Sequence, residues 1–231
     1  MTHNEIEGLI RAGKVQSTSR NEHYQSSKTT EVLPDAHAEF INKYGALSCY
    51  GGYFRLLGIS EHEDIRSWND DATWKFSWKG RISDYICFGM DGFGSQYAYK
   101  KESDGRLASE TIYLLDFASM QPLDIAKDFE QFLADEFLKN AIQPFDEQII
   151  KSRELLGSLN IGQLVSFAPP AVLFEDPFPL CDQVILPATD TLIMNGDAAC
   201  QYDEAQEGQV LSRISHRIDE TGRKRLRIEF E

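Results

Sequence analysis

Hydrophobic and polar positions alternate on both sides of a glycine-rich segment within residues 86–99. A period of two is typical of a half-buried β-strand, because successive side chains point to opposite faces of a sheet. Between the two runs, Asp91-Gly92 has the composition of a tight turn, and Gly89 and Gly94 that of bulge or turn positions. The pattern predicts a hairpin whose structural turn residues are Gly89, Asp91, Gly92 and Gly94. It lacks the spacings of phosphate-binding loops, so we interpret these glycines as structural.

Helix and strand patterns flank this hairpin. Residues 34–44 begin at a proline, carry apolar side chains on one face and stop before a glycine, which is typical of a short amphipathic helix. We expect its His37 on the surface. Strand-like runs follow at residues 53–59 and 111–116, and apolar residues recur at helical spacing over residues 123–140.

Three stretches of the chain form a recognisable combination. They are Leu33-Pro34 with Phe40 and Tyr44-Gly45, then Phe88-Gly89 with Asp91-Gly92 and Gly94, then Leu115-Asp116 with Phe129 and Phe132-Leu133. In this order they resemble the SUKH superfamily, which includes a fungal cell-wall regulator and many bacterial immunity proteins that neutralise secreted polymorphic toxins. One departure is Gly51-Gly52, which lies several residues beyond the position where such proteins often carry a similar element. The resemblance fades beyond Phe145, and it implies a binding protein whose partner is a cognate protein toxin.

The rest of the chain predicts one helix and several strands. A helical run follows Pro144 and stops before Gly157, and Asn195-Gly196 has the composition of a tight turn. The strand candidates are residues 164–167, 183–186, 191–194, 211–218 and 225–230. The last two flank a turn signature and predict a hairpin with basic side chains on one face.

Together these elements predict an α+β protein: a twisted antiparallel sheet over residues 50–116, with helices packed on one side, plus a β-rich C-terminal extension. Residues 1–30 are expected to form a mobile N-terminal arm, because residues 16–31 are rich in Ser, Thr, Gln and charge. Residues 31–143 would form the SUKH-like core. Residues 144–231 would form a helix and β-rich extension packed on that core.

Composition and charge restrict the possible functions. The chain of 231 residues is 42% hydrophobic, has no run typical of a membrane helix and has four scattered cysteines without a CxxC pair. We therefore expect a soluble cytoplasmic protein with reduced thiols, no membrane partner, and a monomer or weak homodimer. The net charge of −14 argues against nucleic acid as a partner and favours a basic one, although acidity also keeps proteins soluble. The acidic excess lies before residue 213, because residues 213–231 hold six basic and four acidic side chains.

Residues 61–78 combine five carboxylates with all three tryptophans. Aromatic side chains ringed by acids are typical of a surface that binds a basic protein. The predicted partner contacts are Glu61, Glu63, Asp64, Trp68, Asp70 and Asp71. The alternative interpretation is structural: Trp74, Phe76 and Trp78 alternate and would fill the buried face of a strand.

No motif in the chain forces catalytic groups together. The histidines lack paired metal-ligand spacing, no cysteine has the context of a nucleophile, and the acidic clusters lack the ligand pattern of a calcium loop. From the residues we therefore expect an acidic binding protein with no enzyme activity, no metal and no cofactor. The resemblance to the SUKH superfamily implies an immunity protein that blocks its toxin, possibly a nuclease, sterically and through its acidic surface. The alternatives are a non-catalytic regulatory scaffold, or a hydrolase whose site is assembled from scattered groups such as His62, Asp70, Asp71 and His216.

Overall fold

The computed structural model describes residues 3–17, 31–59 and 64–231. The helices are α1 (His3–Arg11), α2 (Asp35–Tyr44), α3 (Ile65–Trp68), α4 (Phe129–Phe132), α5 (Leu138–Ile142), α6 (Glu147–Leu156) and α7 (Ala188–Glu204). The strands are β1 (Val15–Ser17), β2 (Leu47–Cys49), β3 (Phe54–Leu56), β4 (Tyr85–Asp91), β5 (Gln96–Lys101), β6 (Leu107–Leu115), β7 (Pro122–Ala126), β8 (Gln163–Ala168), β9 (Asp182–Pro187), β10 (Leu211–Ile218) and β11 (Lys224–Phe230). Short 3₁₀ helices lie at Tyr50–Gly52, Lys75–Trp78 and Ala171–Leu173, and a π-helical segment, Leu133–Phe137, joins α4 to α5.

One antiparallel sheet contains the first seven strands in chain order, β1 to β7. Sequential strands are neighbours throughout, so short connections suffice to build it. Two further pairs, β8–β9 and β10–β11, belong to the C-terminal part of the chain. The α+β class with a β-rich extension is confirmed, and so are the predicted hairpin at β4–β5, the helix α2 and the terminal hairpin β10–β11.

Helices α2 and α4 pack on one face of the sheet. Phe88 of β4 lies edge-on to Phe132 at 5.4 Å, and Tyr97 of β5 lies 4.9 Å from the same ring. The opposite face of β5 is covered by α3, because the Trp68 indole donates to the Gln96 side-chain oxygen at 2.8 Å. Successive side chains of β5 point to opposite faces of the sheet, and both faces are buried. The β4–β5 hairpin therefore belongs to the hydrophobic core on both sides.

The tryptophan-rich segment departs from the strand prediction. Trp74, Phe76 and Trp78 do not alternate along a strand, because Lys75–Trp78 is a 3₁₀ helix. Trp74 and Trp78 are nevertheless fully buried, as the structural interpretation required. The Trp74 indole donates to the Trp68 backbone oxygen at 2.9 Å, so tertiary contacts hold a compact turn where alternation alone favoured extended chain.

The helix predicted over residues 123–140 begins later. Residues 122–126 are strand β7, which pairs with β6, and the helix starts at Phe129. Asp128 accepts a hydrogen bond from the Gln131 backbone N–H at 2.8 Å and caps the helix. The apolar residues 123 and 126 are compatible with a helix or a strand. This segment is a strand because it pairs with the edge of β6 that β5 leaves free.

The strand at residues 191–194 and the turn at Asn195-Gly196 were wrong predictions, because both lie inside α7. A Cβ placed on Gly196 would lie 2.4 Å from Ser77 Oγ, and the Trp78 indole donates to the Leu192 backbone oxygen at 3.1 Å. A glycine inside a helix costs about 0.5–1 kcal/mol relative to alanine. Here it allows α7 to touch the 3₁₀ helix directly, and that contact overrides the local turn signal.

Side chains of α7 also bind the outer edge of β11. The Asp197 carboxylate accepts hydrogen bonds from the Leu226 backbone N–H at 2.9 Å and from Arg225 Nε at 2.8 Å. Gln201 accepts from the Ile228 N–H and donates to the Leu226 carbonyl, both at 3.0 Å. These two side chains satisfy backbone groups that would otherwise need a third strand. The pairing register places the basic residues Arg213, Arg217, Arg225 and Arg227 on one face of the hairpin.

Residues 3–17 of the predicted N-terminal arm form α1 and β1. Ile6 and Val15 are buried, and β1 pairs with β2 at the edge of the sheet. Residues 18–30 lie outside the described part of the chain. The division into an arm, a core over residues 31–143 and an extension stays a prediction.

The turn between β4 and β5 is where the C-terminal extension docks. The Val165 N–H of β8 donates to the Gly92 carbonyl at 2.8 Å, and Phe93 contacts the ring of Phe167 at 5.6 Å. Asp91 closes the turn, since its Oδ1 accepts three backbone N–H groups, from residues 93 to 95, each at 2.9 Å. Burial raises the pKa of the Asp91 carboxyl to about 6, although these hydrogen bonds act to lower it.

Gly92 and Gly94 allow the turn to pack closely, against Tyr53 at Gly92 and against Leu164 and Leu192 of the extension at Gly94. A Cβ on Gly92 would lie 2.3 Å from Tyr53 Cδ1, and Gly94 has φ +99°, a conformation that favours glycine. Gly89 lies in β4 beside the bulge in its pairing with β5, and a Cβ there would lie 2.7 Å from the Arg55 carbonyl. All three positions therefore exclude a side chain.

Replacing Gly92 or Gly94 with valine is expected to lower the free energy of unfolding by about 1–3 kcal/mol or more, through overpacking at the first site and backbone strain at the second. Chemical denaturation measures the loss. The control is Gly8→Ala in α1, where a Cβ meets nothing within 4 Å and no loss is expected. Variants that unfold like the parent but lose a partner would instead identify the turn as a recognition loop.

His37 is not on the surface as expected, because α2 turns it into the core. Its ring stacks on Phe129 with centroids 3.9 Å apart, and its Nδ1 lies 3.2 Å from the Tyr99 hydroxyl. Burial lowers the pKa of His37 to about 3, since a charged imidazole would lose its hydration. The amphipathic pattern missed this side chain because histidine counts as polar whether or not it is buried.

Acid should destabilise the protein through His37. The unfolded chain binds a proton as pH falls through about 6.5, whereas the folded state stays neutral until about pH 3, so stability falls across that window by about 1.4 kcal/mol per pH unit. Denaturation curves between pH 7 and 4.5 should show a smaller loss for His37→Phe than for the parent, by about 2–3 kcal/mol. His216→Asn, on the exposed hairpin, serves as the control, and parallel curves for His37→Phe and the parent would refute the assignment.

Candidate functional site

A cleft of about 550 Å³ opens beside the start of β4, between the segment after α3 and the β5–β6 turn. Buried Lys75 and half-buried Lys101 line its inner part, which we call the floor, and the exposed Asp70 and Asp71 line its rim. We call it the Lys75 cleft. Its size falls within the range of small-molecule sites, about 300–1,000 Å³.

Lys75 is held at the base of this cleft by fixed acceptors. Its ammonium donates to the Tyr85 carbonyl at 2.7 Å and to Asn69 Oδ1 at 2.9 Å, and the residue is only 4% exposed. Asn69 is itself fixed, because its side chain exchanges hydrogen bonds with the Cys87 backbone at 2.6 and 2.8 Å. The pairing of β3 with β4 ends at Gly89, so Cys87 lies beyond the end of β3 and its backbone groups are available to Asn69.

The floor of the cleft carries two positive charges. Burial is the main cause that lowers the pKa of Lys75. Cys87 and Asp71 act to raise this pKa, and Lys101 acts to lower it. Within residues 3–17, 31–59 and 64–231, neither Lys75 nor Lys101 has a carboxylate oxygen within the 4.0 Å of an ion pair. A buried ammonium group, on Lys75, and a half-buried one, on Lys101, therefore line the same cleft without an ion-pairing carboxylate.

The rim has the opposite sign. Asp70 and Asp71 are exposed, and Asp70 Oδ1 accepts the Ala72 backbone N–H at 2.9 Å, which fixes the turn after α3. On the far side, Asp104 pairs with Arg106 at 2.6 Å, so those two charges cancel. Exposed Glu31 also lines the cleft. The carboxylates are thus exposed, whereas Lys75 is buried and Lys101 half-buried, so the cleft is acidic at its mouth and basic toward its base.

The other residues of the predicted partner surface have different positions. Asp64 caps α3 by accepting the Arg66 N–H at 2.7 Å, and it also pairs with the Arg66 side chain. Trp68 is 7% exposed and contributes to the core. Glu61 and Glu63 lie outside the described residues. A partner-binding role for this set stays a prediction, and the structure leaves Asp70 and Asp71 as its exposed members.

The residues suggested for a hydrolase site are only partly described. Asp70 and Asp71 lie at the cleft rim, His216 is exposed on β10, and His62 lies outside the described residues. Among the residues that the structure describes, no three His, Cys, Asp or Glu side chains form a group that could hold a metal ion. No helix in that part of the chain combines the length and apolar character needed to cross a bilayer.

Sequence reasoning missed Lys75 and Lys101. The available signal was the position of Lys75 in a run of aromatic residues, between Trp74 and Phe76. A lysine there must either extend to solvent or be buried with its neighbours. Lys75 is buried because Asn69 and Tyr85 accept hydrogen bonds from its ammonium group, and only folding brings these two residues to Lys75.

Comparison with known proteins identifies the superfamily. Residues 28–135 match the SMI1 / KNR4 family (SUKH-1). The chain carries a SUKH-superfamily domain. A fold likeness extends beyond it: the crystal structure of Atu4351 from Agrobacterium tumefaciens is 11% identical in sequence, with a TM-score of 0.51 and 91% of each chain covered. That coverage includes much of the C-terminal extension, and it concerns the fold alone. No curated protein matches the chain.

Proposed function

We propose that this protein is an immunity protein that binds a cognate bacterial toxin and blocks it. The observation that carries the proposal is the match of residues 28–135 to the SMI1 / KNR4 family (SUKH-1), because the SUKH superfamily includes many toxin-immunity proteins. Fold and family by themselves do not determine function, so the proposal also depends on the charge and on the surface.

The charge favours a basic partner. The chain carries a net charge of −14, and Asp70 and Asp71 extend from the rim of the Lys75 cleft into solvent. Carboxylates on an inhibitor can occupy the place of substrate phosphates in a basic active site and accelerate association by electrostatic steering. A nuclease or another enzyme with a basic substrate cleft would fit this surface.

Inhibition would be steric and electrostatic, without chemical turnover. The protein would act in the cytoplasm, as a monomer or weak homodimer, on a protein partner and not on nucleic acid or membrane. Asp64 and Trp68 would support the surface from below, since one caps α3 and the other anchors it to β5. Asp70 and Asp71 would make the contact, together with Glu61 and Glu63.

Charge reversal at the rim tests the contact. Asp70→Lys combined with Asp71→Lys should slow association with a basic toxin by about tenfold at low salt and flatten its salt dependence, because steering depends on the charges near the interface. Stopped-flow or surface plasmon resonance measures the rate constant. The matched control is Glu207→Lys with Glu220→Lys, which changes the net charge equally on exposed loops elsewhere. Equal rates for both double variants would place the interface elsewhere.

Stoichiometry tests the binding mechanism. Co-expressed with the toxin encoded beside it, the protein should restore growth and form a complex that survives gel filtration, since steered inhibitor pairs reach about −12 kcal/mol or tighter. Toxin recovered by denaturation and refolding should have an unchanged mass and full activity. Silencing of excess toxin by trace amounts of this protein, or a covalent change in the toxin, would contradict the proposal and favour an enzyme.

A further inference from the structure

We propose that the floor of the Lys75 cleft binds the oxyanion, a phosphate or carboxylate, of a small polar molecule, with Lys75 and Lys101 as the cationic contacts. This inference concerns the cleft floor and does not depend on the identity or existence of a toxin partner.

The first support is the missing counter-charge. Proteins bury an ammonium group only when other groups compensate for its lost hydration, and two cations close together add mutual repulsion. Lys75 is 4% exposed, and half-buried Lys101 lines the same cleft, where its positive charge opposes that of Lys75. Neither has an ion-pairing carboxylate among the described residues. A bound anion would neutralise both.

The second support is preorganisation. An ammonium has three N–H donors, and Lys75 uses two of them on the Tyr85 carbonyl and Asn69 Oδ1. Both acceptors are rigid, because Tyr85 lies in β4 and Asn69 is bonded on both sides of the Cys87 peptide. The donor that remains belongs to a side chain that lines the cleft. Fixing a cationic donor before binding avoids an entropic cost when the ligand arrives.

A purely structural role would explain only part of this arrangement. Lys75 could serve to hold Asn69 and Tyr85 in place, but Lys101 forms no such side-chain bond among the described residues and only adds repulsion. A structural lysine also needs no open space beside it, whereas these two line a cleft of about 550 Å³. Two cationic side chains that line an open cleft are what an anion-binding site requires.

The rim defines the remainder of the ligand. Asp70 and Asp71 would repel a second negative group near the mouth, but their oxygens can accept hydrogen bonds from hydroxyl or amino groups. The class that fits is a small molecule with one anionic end and hydrogen-bond donors at the other, such as a sugar phosphate or an amino acid. The volume suits one such molecule.

The experiment follows the lysine ammonium signals directly by ¹⁵N NMR of the full chain while inorganic phosphate, ribose 5-phosphate or glutamate is added at constant ionic strength. The Lys75 signal should shift saturably, and its pKa should rise when the anion binds. The two phosphate probes and the carboxylate probe distinguish the two oxyanions. Ribose 5-phosphate should bind more tightly than inorganic phosphate if the rim contacts its hydroxyl groups.

Variants distinguish a site from general screening. Lys101→Met should weaken binding of the best probe by about tenfold, and Lys75→Met should abolish it. Lys79→Met, an exposed lysine paired with Glu204 outside the cleft, should leave it unchanged. If Lys75→Met fails to fold, Lys101→Met and the direct signal of Lys75 decide the question. The proposal is wrong if chloride shifts the Lys75 signal as much as each of the three probes does. It is also wrong if Lys101→Met binds the best probe as tightly as the parent protein.

Discussion

The β4–β5 turn, on which the C-terminal extension docks, depends on a backbone without side chains at residues 92 and 94, because a Cβ would meet Tyr53 at the first position and Leu164 and Leu192 of the extension at the second. Only there can the Gly92 carbonyl accept the Val165 N–H while Phe93 enters an aromatic cluster with residues of the extension. The extension in turn positions α7. From α7, Leu192 and Gly196 hold the 3₁₀ helix that begins at Lys75. The geometry of the Lys75 cleft therefore depends on a contact made on another part of the sheet.

The negative and positive charges of the cleft lie at different depths and act over different ranges. Exposed carboxylates at its rim act over several ångströms through solvent and are screened by salt, so they suit the steering of a large basic partner. Deeper in the cleft, the buried ammonium of Lys75 and the half-buried one of Lys101 act at short range and suit a small anion. These roles need not compete, because they use different atoms at different depths. A ligand on the floor would also reduce the positive potential that opposes the acidic rim, which would couple the two.

The likeness to the Agrobacterium structure has a specific consequence. The family match ends at residue 135, whereas the fold likeness covers 91% of both chains. The extension is thus part of a shared architecture and not an irregular tail. Its dependence on the glycine-rich turn, within the SUKH segment, shows that the two parts share a core. Chemistry at the cleft must still be argued from its own residues, since the fold supports many functions.

Local patterns determined much of this protein. Alternation around Asp91-Gly92 determined the central hairpin, Pro34 and Gly45 bounded α2, and the turn signature at residues 219–222 placed the last hairpin. Composition also identified Asp70 and Asp71 as unusual. Tertiary structure decided the rest where two local structures were compatible with one pattern. Residues 191–196 are helical because α7 packs against Ser77. His37 is buried because it packs among aromatic rings such as that of Phe129. Lys75 is a candidate ligand-binding residue because Asn69 and Tyr85, which only folding brings to it, accept hydrogen bonds from it. Burial and hydrogen-bond partners are properties of residues distant in sequence, and no local pattern contains them.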